Sequence, residues 1–372
     1  MIYILTFFLS LIADRYREER KIFYTLIVIW LFVFLCFGYM TGSDWRGYEL
    51  MYNDESELEK YILKGELGFV ALVKISNLLI GDFWIFNALM KMFFLYQLIR
   101  FFELFTDRKL KAVGLSFCFQ TLFMLIDCPM RFMIGASFVL LSIQYLLARR
   151  WVAFSLLLVV AVSFHLSLLV VGFVLVGVFF VSPYLSKVPK SILWAILIVC
   201  LVLANHPILR TIIYSMGGKI SFFADYLIWY GDERASDFTM LSLIKSLLLG
   251  TLLIAYRNKI LEMANGEYIF AMIYYSFTLG YFITLIPTGF RFNIIPGYFQ
   301  VIALVQLFFY SPNQGVLTLE RVSKYGLFLI FTFLLAREVE APQYSPYSNS
   351  LYYIVTEHLP YSYRYGHNYV PE

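Results

Sequence analysis

About twelve apolar segments follow one another along this 372-residue chain, and a basic cluster interrupts them at every second junction. A run of about 20 apolar residues is the length that crosses a bilayer. A chain built almost wholly of such runs keeps no polar surface with which to enclose a soluble core. The segments lie near 1–13, 22–41, 82–105, 110–126, 131–147, 151–164, 167–182, 191–206, 239–256, 268–286, 291–311 and 324–336. Composition agrees: 61% of residues are hydrophobic and 15% charged, against about 45–50% and about 25% in soluble domains. The predicted fold class is therefore an all-α polytopic membrane protein, with one transmembrane domain over residues 1–336 and a tail over 337–372. Met1–Ala13 is apolar from its first residue and lacks a basic lead-in, so it reads as a retained short span rather than a cleaved signal. Leu67–Ile80 is amphipathic and reads as an in-plane or re-entrant helix.

The basic residues set an orientation. Arg15, Arg17, Arg20 and Lys21 follow the first segment; Arg108, Lys109 and Lys111 the third; Arg149 and Arg150 the fifth. Lys187 and Lys190 follow the seventh, Arg257 and Lys259 the ninth, Arg321 and Lys324 the eleventh. The positive-inside rule makes these junctions cytoplasmic and places both termini outside. The outer face then receives the loops 42–66 and 207–238, the turns at Asp127–Arg131 and Pro287–Arg291, and the tail. Because the junctions flanking Trp151–Val181 are both cytoplasmic, that run must cross an even number of times. Its break falls at Ser163-Phe164-His165-Leu166-Ser167, its one polar cluster. Such a break is tolerated only where protein or water satisfies the freed backbone.

Three ionisable residues therefore fall at or near outer helix ends: Arg131, His165 and Arg291. Intramembrane ionisable groups are costly and mark functional sites by default. Each has a plainer reading, since helix-end arginines snorkel to the interface, Asp127 is a ready partner for Arg131, and a lone histidine is often structural. Against this, guanidinium groups bind phosphate oxygens bidentately, Arg131 opens a helix whose free N–H groups also favour anions, and imidazole exchanges protons near neutrality. A second constellation, Gly42-Ser43-Asp44-Trp45-Arg46-Gly47-Tyr48 with Tyr52 and Asp54, offers aromatic faces and a carboxylate suited to a sugar, or an ordinary interfacial aromatic belt. The tail is dense in tyrosine, from Tyr344 and Tyr347 to Tyr369, and reads as an interfacial collar or a glycan surface. His206, His358 and His367 read as structural or solvated. The cysteines Cys36, Cys118, Cys128 and Cys200 show no paired spacing, and neither a metal site nor a disulfide framework is implied. No phosphate-binding glycine loop, HExxH or GxSxG occurs, which disfavours ATP-driven transport and soluble hydrolase chemistry.

With these residues in place, the chain resembles the EpsG-like branch of the Wzy-type polysaccharide polymerases. The resemblance rests on Gly42-Ser43-Asp44-Trp45 with Tyr48 and Tyr52, Glu66-Leu67-Gly68-Phe69, Arg131, Arg149-Arg150, Phe164-His165-Leu166-Ser167 and Phe290-Arg291-Phe292, in that order. Phe132 stands where the family usually places a glutamine after the arginine. The resemblance implies a GT-C-like inverting glycosyltransferase of the bacterial cytoplasmic membrane, with its site facing outward. Its donor would be a glycan on undecaprenyl diphosphate and its acceptor a hydroxyl of a new lipid-linked repeat unit. His165 would be the general base, with Asp44 the runner-up. Arg131 and Arg291 would bind the diphosphate, and Trp45, Arg46 and Tyr48 would contact sugar. It implies no cofactor, no essential metal and no nucleic-acid partner, while a chain-length regulator is a natural partner. An O-antigen-ligase-like transferase, a lipid-linked-oligosaccharide flippase and a multi-spanning acyltransferase remain the alternatives.

Overall fold

The computed structural model describes residues 1–18, 20–63, 65–204, 240–283, 289–309, 319–341, 344–345 and 347–351. The predicted outer loop 207–238, the turn residues Pro287 and Thr288 and the tyrosines from Tyr352 onward lie outside the described residues. Described residues form helices and no strands; extended backbone pairs only at one isolated bridge, Gly38 with Asn349. The chain divides into two compact units, residues 1–169 with 308–372, and residues 170–307.

The first unit opens with α1 (Ile2–Ala13), α2 (Lys21–Cys36), α3 (Trp45–Asn53), α4 (Glu55–Leu63) and α5 (Leu67–Leu79). It continues with α6 (Phe83–Glu103), α7 (Lys109–Ser116), α8 (Met130–Leu147) and α9 (Trp151–Phe164). Each boundary has a local cause. Gly81 at φ 68° ends the chain's run from α5, and the Asp82 carboxylate accepts the Ile85 N–H at 2.9 Å to start α6. Cys128 in the left-handed region and Pro129 fix the start of α8. Many large apolar side chains stay outside the packed interior, among them Leu78 at 86% and Val152 at 76% exposure, a surface that suits lipid rather than water. By length and composition three described helices are fit to cross a bilayer, α6, α8 and Leu168–Leu185, and six more apolar helices are shorter.

Two predicted spans of the first unit differ from the structure. The segment 22–41 stops as a helix at Cys36, because the C-terminal segment takes over the last carbonyls. Ser350 N–H donates to Phe37 O at 2.8 Å, Asn349 Nδ2 to Val33 O at 2.9 Å, and Tyr347 Oη to Phe34 O. These donors serve helix-end acceptors that have no intrahelical partner. The predicted helix 110–126 breaks after Ser116 into a 3-10 turn, Phe117–Phe119, and a π-helical turn, Phe123–Asp127. Gln120 adopts φ 70°, which no continuous helix accommodates, and Thr121 Oγ1 donates to Ser116 Oγ at 2.8 Å across the break. Within the predicted loop 42–66 the structure adds α3 and α4, two short helices too polar to register as apolar segments.

In the second unit the helices Lys190–Ala204, Met240–Ala255, Gly266–Phe277 and Ile294–Leu304 carry most of the described residues. A 3-10 turn, Gly289–Asn293, precedes the last of these.

Candidate active site

Three elements of the first unit meet at the predicted break. α9 ends at Phe164, and His165 takes extended backbone (φ −155°, ψ 114°) before the next helix begins at Leu168. Two glycines let neighbours close on that end of α9. A Cβ on Gly68 of α5 would lie 2.2 Å from Ser163 Oγ, and one on Gly135 of α8 would lie 2.8 Å from Ala161 O. With both helices pressed against α9, the residue before α5, Glu66, and the second residue of α8, Arg131, flank His165.

Glu66 joins the other two. Arg131 Nη1 donates to its Oε2, and its Oε1 stands 3.5 Å from His165 Nδ1. The carboxylate is 6% exposed, the guanidinium 20% and the imidazole 18%, so the acid is the most buried of the three. At 3.5 Å the acid–imidazole contact is an electrostatic one, too long for a neutral hydrogen bond. Ser167 completes the imidazole's surroundings: its Oγ is 3.3 Å and its N–H donor 3.4 Å from the same Nδ1. The Tyr61 ring covers the Arg131 guanidinium at 4.3 Å, a cation–π distance, and Phe132 meets the imidazole edge-on at 5.6 Å. Phe132 thus gives the ring an apolar wall.

The Gly42–Tyr48 motif is held against this site from the other side. Asp127 does not pair with Arg131; it accepts the Ser43 N–H at 2.5 Å and the Ser43 hydroxyl at 2.7 Å. Gly42, at φ 85°, lies so close to the Ile126–Asp127 backbone that a Cβ there would sit 2.3 Å from Ile126 O. The docked loop starts α3, whose Tyr48 Oη accepts the Arg131 backbone N–H at 3.4 Å. Burial pushes the Tyr48 phenol up to about 12, with the adjacent guanidinium opposing that rise, so it remains an O–H group at neutral pH. The expected open stacking faces at Trp45 and Tyr48 are a correction: the two are 2% and 7% exposed. Trp45 packs with Tyr39, Met40 and Trp84, its ring 5.5 Å from that of Trp84, and this packing fixes the loop. Asp44 and Arg46 are partly exposed on the same turn.

Arg291 belongs to the second unit. It lies in the Gly289–Asn293 turn, partly buried, and its Nε is buried with no hydrogen-bond partner among the described residues. The nearby Asn293 Nδ2 donates to Ser276 O at 3.1 Å.

The EpsG family model matches residues 21–349. The chain belongs to the EpsG family. That match takes in Glu66, Arg131, His165 and Arg291, together with the Gly42–Tyr48 loop. No curated protein and no solved structure matches the chain. Within the EpsG-family chain, sequence reasoning passed over Glu66 as a functional group, although it stands at the head of a motif. It also passed over Lys91, a charge in the middle of an apolar helix.

Proposed function

We propose that this EpsG-family protein is an inverting glycosyltransferase of the bacterial cytoplasmic membrane that polymerises lipid-linked oligosaccharide repeat units at the outer face. The observation that carries the reading is the Glu66 carboxylate placed between Arg131 and His165 Nδ1. A buried acid behind a histidine orients the ring and supports the imidazolium that forms when the ring takes a proton. In the reaction proposed, His165 Nδ1 carries the ring hydrogen toward Glu66 Oε1, giving up the long Ser167 N–H contact. The acceptor hydroxyl gives its proton to the free Nε2 as its oxygen bonds to the donor's anomeric carbon. The bond from that carbon to the diphosphate breaks, and its electron pair leaves on the phosphate oxygen. Arg131 meets the charge that develops there. Asp44 and Arg46, the partly exposed polar groups of the docked loop, contact sugar. With undecaprenyl diphosphate as carrier, the arginine side chain supplies the positive charge, and activity persists in chelator. A GT-C-type arrangement of about twelve spans and a chain-length regulator as partner belong to the same reading.

The test is the envelope glycan of cells lacking the protein, complemented at matched expression with wild type, His165→Ala, Arg131→Ala or Glu66→Gln. Single repeat units in place of a ladder are expected from each variant. Full ladders from all three would overturn the reading. Ladders that persist on the carrier lipid in the knockout but fail to reach a final acceptor would favour the ligase-like transferase.

A further inference from the structure

The tyrosine-rich tail begins as a strap across the end of α2. From Phe37 to Asp44 the chain is neither helix nor sheet, apart from the single bridge at Gly38. It turns twice through left-handed backbone there, Met40 at φ 49° and Gly42 at φ 85°. Irregular backbone beside an apolar helix has to find partners for its polar groups, and residues 347–350 supply them. Tyr39 N–H donates to Ser348 O at 3.0 Å, and the Ser348 hydroxyl donates to Tyr39 O. Ser350 gives its N–H at 2.8 Å and its hydroxyl at 3.1 Å to Phe37 O. With the Asn349 and Tyr347 bonds to Val33 O and Phe34 O, the segment is fastened along α2 and past its end. The strap is itself braced. Asn349 Nδ2 donates to Tyr347 Oη at 2.9 Å, the Tyr347 ring lies 4.7 Å from that of Phe34, and Tyr3 Oη donates to Tyr344 O at 2.8 Å.

The strapped residues lead into the candidate site. The Tyr39 ring is buried and packs 4.5 Å from Trp84, which lies 5.5 Å from Trp45. Trp45 opens α3 between Asp44 and Arg46, the two groups assigned to sugar. Tyr39 is clamped at both its N–H and its C=O, and its ring abuts that stack, so its position passes on through close-packed atoms. The groups assigned to proton transfer are held otherwise. Glu66 and His165 owe their places to α5, α8 and α9, which close on one another at Gly68 and Gly135. The strap's bonds to Val33, Phe34, Phe37 and Tyr39 reach a different part of the unit.

We propose that residues 347–350 are a positioning element of the site: through Tyr39 they set the Trp84–Trp45 stack and with it the turn Asp44–Arg46. The assignment of that turn to sugar rests on the polymerase reading; the mechanical link does not. A strap that only added stability would lower the thermal midpoint and leave substrate affinity unchanged. A strap that positions the turn acts on KM for the lipid-linked repeat unit, while kcat holds because Glu66 and His165 keep their own supports.

The experiment uses the purified full chain in nanodiscs, as wild type, Ser348→Ala, Ser348→Ala/Asn349→Ala, Ser348→Thr and Tyr39→Leu. Amide hydrogen exchange, the thermal midpoint and polymerisation kinetics on lipid-linked repeat units are measured on each. In the double variant, exchange over residues 39–48 should rise by about fivefold or more, the factor that one net hydrogen bond is worth. Exchange over α5 and α8 should stay as in wild type. KM should rise by a similar factor, and kcat should change by less than about twofold. Ser348→Ala alone, the milder change, should give a smaller rise of the same kind, and Ser348→Thr, which keeps the hydroxyl, should match wild type. Tyr39→Leu keeps the backbone clamps, loses the ring against Trp84 and should raise KM as the double variant does. A lowered midpoint with KM and exchange intact, a fall in kcat at constant KM, or wild-type KM in Tyr39→Leu would overturn the proposal. Wild-type KM in the double variant beside lost ladders in His165→Ala would remove the strap's role and leave the polymerase reading standing. Faster exchange over 39–48 in the double variant beside full ladders from His165→Ala would support the strap and overturn the polymerase reading.

Discussion

Arg131 and Arg291 look alike as sequence, each an arginine delivered by a proline-containing turn into the start of a helix. The structure gives them different surroundings. Arg131 is joined to Glu66, covered by Tyr61 and linked through Glu66 to His165. The Nε of each is buried with no hydrogen-bond partner among the described residues, but Arg291 forms no ion pair with a described carboxylate. The first guanidinium is therefore held in position by a carboxylate, and the second has no described carboxylate beside it. An arginine at a helix start names a place for a charge; the residues that close on it decide whether that charge organises a site or meets a ligand.

The sharpest way to break this comparison is to remove each guanidinium. Arg131→Ala leaves the buried Glu66 carboxylate with only the His165 imidazole beside it; breaking a fully enclosed pair costs about 3–5 kcal/mol. The guanidinium is one-fifth exposed, so the lower end is expected, read as a fall in the thermal midpoint. Arg291→Ala strands no carboxylate among the described residues and should cost under about 1 kcal/mol. Equal losses would erase the distinction. The double variant Glu66→Ala/Arg131→Ala should be more stable than Arg131→Ala alone, because no lone charge remains.

Next in size is Gly42→Ala, which puts a methyl group into the Ile126 carbonyl at a positive φ. A destabilisation of about 2–4 kcal/mol is expected from the combined clash and backbone strain. Tyr61→Leu removes the ring over Arg131 and should cost about 0.5–2 kcal/mol, with a weaker substrate affinity as the guanidinium gains freedom. Tyr61→Phe, which keeps the ring, should restore most of that loss. The smallest effect belongs to Tyr48→Phe, under about 1 kcal/mol for one long hydrogen bond. Its difference from wild type should stay flat from about pH 6 to about pH 9, because a phenol held at about 12 does not titrate there. A pH-dependent difference would show that Tyr48 carries charge in the site.

Much of the scaffold was legible because its signals are local. Hydrophobic runs and the capping Asp82 mark α6, amphipathic spacing marks α5, and one polar cluster marks the break at His165. What was not legible depends on partners far away in sequence. Glu66 and Arg131 are 65 residues apart, and no periodicity links them. Asp127 was read as a partner for Arg131 on proximity alone, yet the turn at Cys128 directs it to Ser43, 84 residues away. The end of α2 depends on the segment around Asn349, and Gln120 breaks α7 through a backbone choice that composition does not show. Trp45 read as a ligand face because aromatic residues at outer loops suit sugars; the fold uses it as a packing wedge against Trp84.

The central claim is that Glu66 makes Arg131 and His165 act as one unit, and a double-mutant cycle on polymerisation rate tests it most directly. Purified wild type, Glu66→Gln, His165→Ala and the double variant would be compared on lipid-linked repeat units under single-turnover conditions. If Glu66 acts through His165, each single variant loses rate, by about 10²–10⁴-fold for His165→Ala, and the double variant falls no further than His165→Ala. Losses that multiply in the double variant would show that the two residues act independently and would contradict the account.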